Sequence, residues 1–464
     1  MFYKKPIGGK KINYKTVQLN FLKGTNTDIN PNVLNLAVGA QCFNFDSGNG
    51  ALANGYGFNK DTTRDMRWPA GVKFLGAWAY GDVIVLYGND KKLYWFYTSS
   101  KDPNVYTFYN LTFNNKPNII NFVTGGRNLL ILTSASDNML VWDGTLVPQT
   151  VPLAPKIKSA CSFNNRLFAL VEGDRNNILY SENLDPTGWV STGGEDAPGK
   201  MQLFNEPANL NKIVVFKNYL YVFGDFAVTK VSAVLDNFSV STVFTSAYKI
   251  YPDSIAVCGA EIFMTTAGGI FIFDGVSAKK AELPANSLFD NINGNVQACN
   301  FNGKYFAALS DDILFALDTA SGAFSITKGV NITAMLAIHT DNTDELLVCI
   351  GDGSGTAGLI DNSGTYFDAV LKKVWSSAVT DFGVSRQDKI IKRLFVRSRT
   401  PCVITVTADG KSKDFEVMSA KTGVTRLITN IKGRNFSFKI TSERAENEIY
   451  GLEFYIGFLE GESV

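Results

Sequence analysis

His339 is the only histidine in this chain of 464 residues, and this scarcity excludes most enzyme mechanisms. Catalytic triads, HExxH zinc sites and imidazole acid–base chemistry each need at least one histidine held beside specific partners. The neighbouring acids Glu172 and Asp174 stand in a turn-like segment, where we expect them to face water and not to form a glycosidase cleft. We therefore expect no catalytic residue and no enzymatic activity.

The sequence also lacks long apolar runs. The longest are about five residues, whereas a membrane-spanning helix needs about 20. The first residues, MFYKKPIGGKKINYK, contain lysines but no apolar core of a signal peptide. We therefore expect neither a secretion signal nor membrane insertion.

Cysteine is sparse and scattered. The six cysteines stand far apart, with no CxxC pair, and several lie inside apolar runs such as LVCI at residues 347–350. This spacing favours buried thiols in a reducing compartment over disulfides or a zinc site.

Charge is also scarce, at 19% of residues with a net value of +1, but it is unevenly placed. Residues 1–27 carry six lysines and no acid, and residues 386–399 carry six cations against Asp388 alone. A mildly acidic body therefore has two basic segments.

What the sequence does contain is an all-β pattern. Apolar residues make up 45% of the chain, and alternating runs rich in Phe, Tyr, Val and Ile are separated by Asn, Gly, Asp and Ser clusters. Almost no segment has a sustained helical period, and residues 32–40 are the best candidate for a short helix.

Two turn signals repeat along the chain. The first is an aspartate after an apolar strand, with steps of 38 to 51 residues between its copies: Asp102, Asp143, Asp185, Asp236, Asp274, Asp318 and Asp361. The second is a two-residue turn between strands, in GGRNLLILT, FNNRLFALV, FKNYLYVFG, CGAEIFMTT and FNGKYFAAL. The period is that of a propeller blade, and four-stranded sheets of this kind bury both faces by stacking around a ring.

We therefore predict three parts. Residues 1–73 form an N-terminal arm and docking segment, residues 74–367 a β-propeller, and residues 368–464 a C-terminal β-sandwich. Seven blades fit the spacing best, with six or eight left open because residues 204–246 form the weakest repeat.

No motif in the sequence predicts a cofactor. Gly353, Gly355 and Gly358 match GxGxxG, but a strand and not a helix follows them, so a glycine-rich hairpin is expected. The turn aspartates are expected to cap their own turns. Asp352, Ser354 and Asp361 form the only local cluster that suggested a metal, and we expect no metal or cofactor.

The basic strand near residue 390 is the most informative candidate site. A two-residue period places Ile391, Arg393, Phe395, Arg397 and Arg399 on one face, opposite Ile390, Lys392, Leu394 and Val396. Arginine beside an aromatic is typical of interface anchors, so a subunit or partner interface is one interpretation. A solvated sheet face and nucleic-acid binding are the others. The basic arm adds further candidate interface residues: Lys4, Lys5, Lys10 and Lys11.

Three segments resemble tail-hub, or nozzle, proteins of short-tailed double-stranded DNA bacteriophages. They are NFDSGNGALANGYGF (44–58), FNNRLFALVEGDRNNILYSENLDPTGW (163–189) and DFGVSRQDKIIKRLFV (381–396). Within the second, the pattern falls where the chain leaves a blade, at Tyr180, Ser181, Asp185, Pro186 and Trp189.

The resemblance implies a homo-oligomeric ring of six subunits in the virion tail, assembled in the host cytoplasm. Such a ring docks below the portal and adaptor proteins and forms the distal conduit for genomic double-stranded DNA. An acidic conduit repels phosphates and lets DNA slide without specific binding. On this hypothesis the terminal segments build the central tube and the propeller projects outward.

Two other classes of function stay open. A carbohydrate-binding or glycan-processing propeller needs aromatic and acidic residues clustered on one ring face. A peptide-binding scaffold propeller is expected to be monomeric.

Overall fold

The alternating pattern forms strands along most of the chain. The computed structural model describes residues 12–21, 25–32, 38–47, 50–59, 66–98, 102–191, 193–203, 209–234, 237–290, 292, 294, 296–309, 312–339, 344–351, 357–367, 369–418 and 423–459. These residues contain no α-helix, and their only helical turns are short 3₁₀ segments at Pro252–Ser254 and Asn286–Leu288. No helix in them is long and apolar enough to cross a membrane.

Five short strands precede the repeats. They are β1 (Asn13–Leu19), β2 (Gly39–Phe43), β3 (Phe45–Asp46), β4 (Leu52–Asn54) and β5 (Gly57–Asn59). The helix expected at residues 32–40 falls largely on residues 33–37, outside the described part of the chain, and its last two residues begin β2.

Seven sheets, blades 1 to 7, follow in chain order. Blade 1 contains β6 (Phe74–Tyr80), β7 (Val83–Gly88), β8 (Lys92–Tyr97) and β9 (Tyr106–Thr112). Blade 2 contains β10 (Asn118–Thr124), β11 (Arg127–Thr133), β12 (Met139–Trp142) and β13 (Gln149–Val151). Blades 3 and 4 contain β14 (Ile157–Phe163), β15 (Arg166–Val171), β16 (Asn177–Tyr180), β17 (Gly199–Gln202), then β18 (Leu210–Phe216), β19 (Tyr219–Gly224), β20 (Ala227–Val234) and β21 (Asn237–Thr245).

Blades 5 and 6 contain β22 (Ala256–Cys258), β23 (Glu261–Thr266), β24 (Gly269–Phe273), β25 (Ala278–Lys280), then β26 (Gln297–Phe301), β27 (Lys304–Leu309), β28 (Ile313–Asp318) and β29 (Phe324–Lys328). Blade 7 contains β30 (Ile332–His339), β31 (Asp344–Ile350), β32 (Ala357–Asp361), then β5, and the short β33 (Thr365–Tyr366) and β34 (Ala369–Val370).

The blades close into a ring. Each junction between neighbouring blades is filled by its own buried apolar cluster, including the junction of blade 7 with blade 1, where Leu347 and Cys349 pack with Phe74 and Ile84. At most junctions the first strands of neighbouring blades contact each other, as β30 and β6 do, so the first strands lie nearest the axis. The predicted seven-bladed propeller is confirmed.

Both repeated turn signals have the expected geometry. In the two-residue turns, Asn164 and Asn165 both have positive φ, at 48° and 59°, which suits the right-handed twist of the paired strands. The described repeated aspartates end or follow the third strand of their blades. Asp274, for example, accepts from the backbone N–H groups of Val276 and Ser277, each at 2.8 Å. Asp236 lies outside the described residues.

The longest step in the repeat has a local cause. Asp185 follows β16 closely, at the start of a long connection that reaches β17 only at Gly199. The buried guanidinium of Arg166 holds this connection, donating to the carbonyl oxygens of Ser181 at 2.9 Å and Ala197 at 3.0 Å. A buried charge therefore holds the connection between β16 and β17 in place.

The N-terminal chain closes the ring. β5 pairs antiparallel with β32 and so supplies the fourth strand of blade 7. Phe58 is fully buried between blades 6 and 7, and the amide of Asn59 donates to Asp361 and to Ser363 Oγ. Closure therefore joins residues about 300 positions apart in the chain.

The sandwich is built from both ends of the chain. Its C-terminal strands are β35 (Lys373–Ser377), β36 (Lys389–Ser398), β37 (Cys402–Ala408), β38 (Lys411–Val417), β39 (Val424–Gly433), β40 (Phe436–Ser442) and β41 (Glu448–Phe458). One sheet has the order β3-β4-β41-β36-β39 with β1 also paired to β41, and the other has the order β2-β35-β40-β37-β38. A single apolar cluster fills the space between the two sheets.

Asn44 joins the sandwich to the ring. It lies between β2 and β3 with a φ of 60°, which asparagine tolerates better than most residues. Its side-chain amide donates to the carbonyl oxygens of Lys328 at 3.2 Å and Lys372 at 2.7 Å, and its Oδ1 accepts from Lys328 N at 2.7 Å. One buried side chain thus bonds to the outer strand of blade 6 and to the segment before β35.

Side chains from opposite blades meet across the axis. Lys116, just before β10 of blade 2, contacts Asp253, just before β22 of blade 5, with Nζ and Oδ2 2.8 Å apart. Gln297, which begins β26 of blade 6, donates to the same Asp253 oxygen at 3.0 Å. In a ring of seven, blade 2 is next to neither of these blades, so this axial network bridges the channel at the end where the inner strands begin.

All six cysteines are free thiols. Cys42, Cys258, Cys349 and Cys402 are buried, and the other two are half-buried. Burial raises the pKa of Cys42 to about 12, and this effect outweighs the lowering of the pKa by the hydrogen bond with Thr25.

We predict that Phe58→Ala lowers the free energy of unfolding by about 3–5 kcal/mol, because it leaves a cavity between blades 6 and 7. Denaturant unfolding followed by tryptophan fluorescence measures this loss. The control is Phe226→Ala, since Phe226 is 52% exposed and its removal leaves no cavity. Equal losses for the two variants would contradict the role of β5 in closing the ring.

A second prediction concerns pH and the buried Lys373, whose Nζ donates to the carbonyls of Gly364 (3.2 Å), Leu371 (3.4 Å) and Arg444 (2.8 Å). Burial lowers its pKa to about 8. Above that pH the unfolded chain holds this proton and the folded chain releases it, so this residue's contribution to stability rises with pH.

The test is the difference between wild type and Lys373→Met from pH 7.5 to 9.5, because the buried thiols titrate in the opposite sense. We expect the wild type to gain stability relative to this variant as the pH rises, as measured by urea unfolding. The control is Lys372→Met, because the side chain of the neighbouring Lys372 is exposed. The stability difference between this variant and the wild type should not change with pH. A flat difference for Lys373→Met would refute the assignment.

Candidate interaction surface

Three of the predicted interface residues lie together on the sandwich. The side chains of Arg393, Phe395 and Arg397 lie on the outer face of β36, an inner strand of the six-stranded sheet of the sandwich. The two arginines are exposed and Phe395 is half-buried. The other predicted residues of the basic arm, Lys4, Lys5, Lys10 and Lys11, lie outside the described residues.

A β-bulge changes the predicted faces of this strand. The register of β36 with both neighbours shifts between Ile391 and Arg393, so the side-chain alternation changes phase there. Ile391 was expected beside the arginines, but it is fully buried in the sandwich core with Leu394 and Val396. The expectation for Ile391 was wrong because the extra residue of the bulge shifts the alternation of side chains between the two faces.

Aromatic rings extend the arginine row across two more strands. Tyr455 of β41 pairs with Arg393 in the ladder, and the Arg393 guanidinium lies 5.8 Å from the centre of its ring. Tyr14 of β1 stacks on Tyr455 with ring centres 4.8 Å apart and an interplanar angle of 2°. The result is a flat aromatic surface with a cation at its edge, where cation–π attraction adds modestly to the stacking.

One acid partly balances the arginines. Glu453 lies opposite Phe395 in the ladder, and its Oε2 is 3.4 Å from Arg397 Nη2 and accepts from Gln18 Nε2 at 3.1 Å. Because the Arg397 side chain is 52% exposed, this ion pair contributes little to stability.

On the other side of β36, strand β39 adds exposed apolar side chains. On β39, Ile428 pairs with Arg393 and is 68% exposed, and Val424 pairs with Arg397 and is 42% exposed. Arg426 lies between them, opposite Phe395. We call this surface the arginine–tyrosine face: Tyr14, Arg393, Phe395, Arg397, Val424, Arg426, Ile428, Glu453 and Tyr455. Its arginine, tyrosine and phenylalanine content is typical of protein interfaces.

Arg399 lies beyond the end of β36. Its Nη1 is 3.1 Å from Glu448 Oε1, and its guanidinium lies 5.7 Å from the ring centre of Tyr450. Hydrogen bonds from Tyr450 and Arg399 lower the pKa of Glu448. Arg399 is therefore paired locally and extends the surface only at its margin.

A second exposed apolar surface lies on the propeller. Leu146, Val147 and Leu153, which are 66%, 59% and 71% exposed, line a groove of about 530 Å³ beside β13. Arg127 of β11 and Thr187 of the blade 3 connection complete its walls. Sequence reasoning did not predict this groove, because its apolar residues follow a turn signal and carry no period of their own.

The described residues contain no group of three or more His, Cys, Asp or Glu side chains placed to hold a metal ion. Of the cluster that had suggested a metal, Asp352 and Ser354 lie outside the described residues, as do Gly353 and Gly355. Asp361 accepts from Ser363 N at 2.9 Å and Ser363 Oγ at 2.6 Å, as its turn requires.

The sequence also missed most of the arginine–tyrosine face. Tyr14, Tyr455 and Ile428 lie on three strands far apart in the chain, and only the sheet order brings them beside β36. Period-two alternation in NYKTVQL and IYGLEFYIGF is the signal that could have placed the tyrosines on an outer face.

These features define a seven-bladed β-propeller fused to a two-sheet β-sandwich. No protein-family model matches the chain, and no curated protein matches it. Among solved structures it is similar to BamB from Moraxella catarrhalis, at 12% identity and a TM-score of 0.38, over 64% of this chain and 83% of that one. It is also similar to Saccharomyces cerevisiae Sqt1, at 11% identity and a TM-score of 0.39, over 66% and 97%.

We predict that replacing Arg393 and Arg397 together by alanine changes the free energy of unfolding by less than about 1 kcal/mol, because both are exposed. The measurement is urea unfolding at dilute protein. On the same strand, Lys389→Ala provides the contrast, because buried Lys389 donates to the carbonyl oxygens of Val384 at 2.6 Å and Arg434 at 2.8 Å. A loss as large as that of Lys389→Ala would mean that the arginines support the fold.

Proposed function

We propose that this protein is a non-catalytic structural subunit of a bacteriophage tail, and that its copies form a hub or nozzle ring through which the genome leaves. The observation that carries the proposal is the arginine–tyrosine face. This exposed surface has the composition of a protein interface, and it lies on the β-sandwich, which N-terminal and C-terminal strands build together. The resemblance of three segments to tail-hub proteins supplies the biological setting.

The sheet edges support assembly between copies. In the six-stranded sheet, β1 pairs only with β41 and β39 pairs only with β36, so each has one edge without a strand partner among the described strands. Long unpaired edges beside an aromatic and arginine-rich face favour contact with another chain. A head-to-tail contact between unlike surfaces closes into a ring when the rotation between copies is a fraction of a full turn.

The axial network bears on the path of DNA. The Lys116–Asp253 bridge crosses the propeller axis, so a double helix has no passage through a single propeller. A conduit must then lie between subunits. This supports the hypothesis that the terminal segments build the central tube while the propellers project outward, with a ring of six subunits docked to portal and adaptor proteins.

A second candidate is a peptide-binding scaffold propeller, favoured by the apolar groove at Leu146, Val147 and Leu153. The two proposals differ in oligomeric state, since a scaffold of this kind is expected to be a monomer.

We predict that the purified wild-type chain forms a closed ring and that Arg393→Glu with Arg397→Glu lowers the ring population at least about tenfold, because reversed charges oppose the neighbouring surface. Mass photometry and cryo-electron microscopy class averages measure the assembly. The matched control is Lys279→Glu with Lys280→Glu, two exposed cations on the outer strand of blade 5. Equal loss in both double variants would contradict the proposed interface, and a wild-type monomer would favour the scaffold.

A further inference from the structure

The strand directions at the two open edges of the six-stranded sheet are complementary. β1 and β36 each run antiparallel to β41, and β39 runs antiparallel to β36. The two edge strands, β1 and β39, therefore point in opposite directions. When two copies of the sheet lie side by side in the same orientation, β1 of one copy continues the antiparallel alternation beyond β39 of the other. This contact joins unlike edges, so it can repeat from copy to copy.

The composition of the edges distinguishes these two strands from the outer edge of the other sheet. That edge is β38, whose seven residues include four exposed charged side chains: Lys411, Lys413, Asp414 and Glu416. Charged side chains on an edge strand oppose pairing with another chain. The seven residues of β1 contain one charge, and the first seven residues of β39 contain only Arg426. Pairing is therefore disfavoured at β38 and left open at β1 and β39.

The regular parts of the two strands match in length. The ladder of β39 with β36 is regular from Val424 to Ile428 and shifts beyond Ile428, where Asn430 has a φ of 48°. Three side chains of this part lie on the outer face, as do three side chains of β1: Tyr14, Thr16 and Gln18. One antiparallel register pairs all six, with Tyr14 opposite Ile428, Thr16 opposite Arg426 and Gln18 opposite Val424. An aromatic ring opposite a β-branched side chain is a favourable cross-strand pair.

The charges of the two edges are also complementary. Arg426 is exposed and makes no hydrogen bond or ion pair with another described residue. In this register it lies diagonally across from Gln18 of the next copy, and Gln18 Nε2 donates to Glu453 Oε2 at 3.1 Å. An arginine without a partner thus comes beside the one acid of the arginine–tyrosine face, and that face continues from one copy to the next.

We propose that β39 of one copy and β1 of the next form an antiparallel strand pair, so that the six-stranded sheets join edge to edge around the ring. This inference rests on the proposed ring and names the strands that join its copies. The partner is a second copy of this chain because a single sheet supplies both halves of the junction. A closed ring then leaves neither of these edges unpaired, as closure does in a barrel.

The test is crosslinking of a double variant, Thr16→Cys with Arg426→Cys, by a short bifunctional maleimide, followed by denaturing gel electrophoresis. Because every copy has both halves of the junction, we expect a ladder of covalent multimers that ends at the ring size given by mass photometry. The matched control is Thr16→Cys with Ser412→Cys, which moves the second thiol to the exposed edge of β38. It should show no more multimer than the wild type with its native cysteines.

The single variants distinguish unlike from like edges. Neither single variant should crosslink by itself, and an assembled mixture of the two should give dimers only. Dimers from one single variant alone would place like edges in contact and overturn the proposal. A wild-type ring with no ladder from the Thr16→Cys, Arg426→Cys ring would overturn the strand pairing and leave the proposed function standing. A monomeric wild type would overturn both.

Amide hydrogen exchange provides a measurement that contact between side chains alone does not change. In the wild-type ring we expect amides of β1 and β39 to exchange at least about tenfold more slowly than in protein diluted until it dissociates, because new backbone hydrogen bonds protect them. Amides of β38 should exchange at the same rate in both states. Equal exchange of β39 in the ring and in the dissociated chain would contradict the strand pair.

Discussion

Closure of the ring depends on one short strand that is far from its partner in the chain. β5 completes blade 7, and Phe58 fills the junction between blades 6 and 7. The same N-terminal segment contributes β1 to β4 to the two sheets of the sandwich. The ring therefore cannot close without drawing the N-terminus between the two parts, and residues such as Asn44 then bond across their junction. The entropy of this long loop is offset by apolar burial at every blade junction.

The distribution of polar groups follows from this architecture. Sheets in a ring bury both faces, so the charged groups described above lie at the turns, at the axis or on the outer face of the sandwich unless backbone carbonyl oxygens accept from them, as they do from the buried Lys373 and Lys389. At the axis, the half-buried Lys116 and Asp253 form an ion pair, and Gln297 donates to the same carboxylate oxygen. On the sandwich, the arginine–tyrosine face carries its charges in water, where ion pairs add little stability and are available for contact with another molecule.

Much of the fold could be predicted because its signals are local. A two-residue turn such as Asn164–Asn165 and an aspartate that caps its own turn, such as Asp274, each report on a few neighbouring residues, and their repetition predicts the number of blades. The candidate site was predicted only in part. The row Arg393, Phe395 and Arg397 followed from alternation along one strand, whereas Ile391 was misplaced because a bulge depends on two neighbouring strands.

Strand period and turn chemistry are properties of adjacent residues, so the all-β class, the repeat and the basic character of β36 follow from local sequence. Which strands became neighbours depended on the folded arrangement of the whole chain. It placed Tyr14 and Tyr455 beside Arg393, gave β5 to blade 7, and brought Lys116 to Asp253 across the axis. These contacts join residues separated by up to several hundred positions. Their formation depends on how sheets close and stack, and no local pattern encodes that.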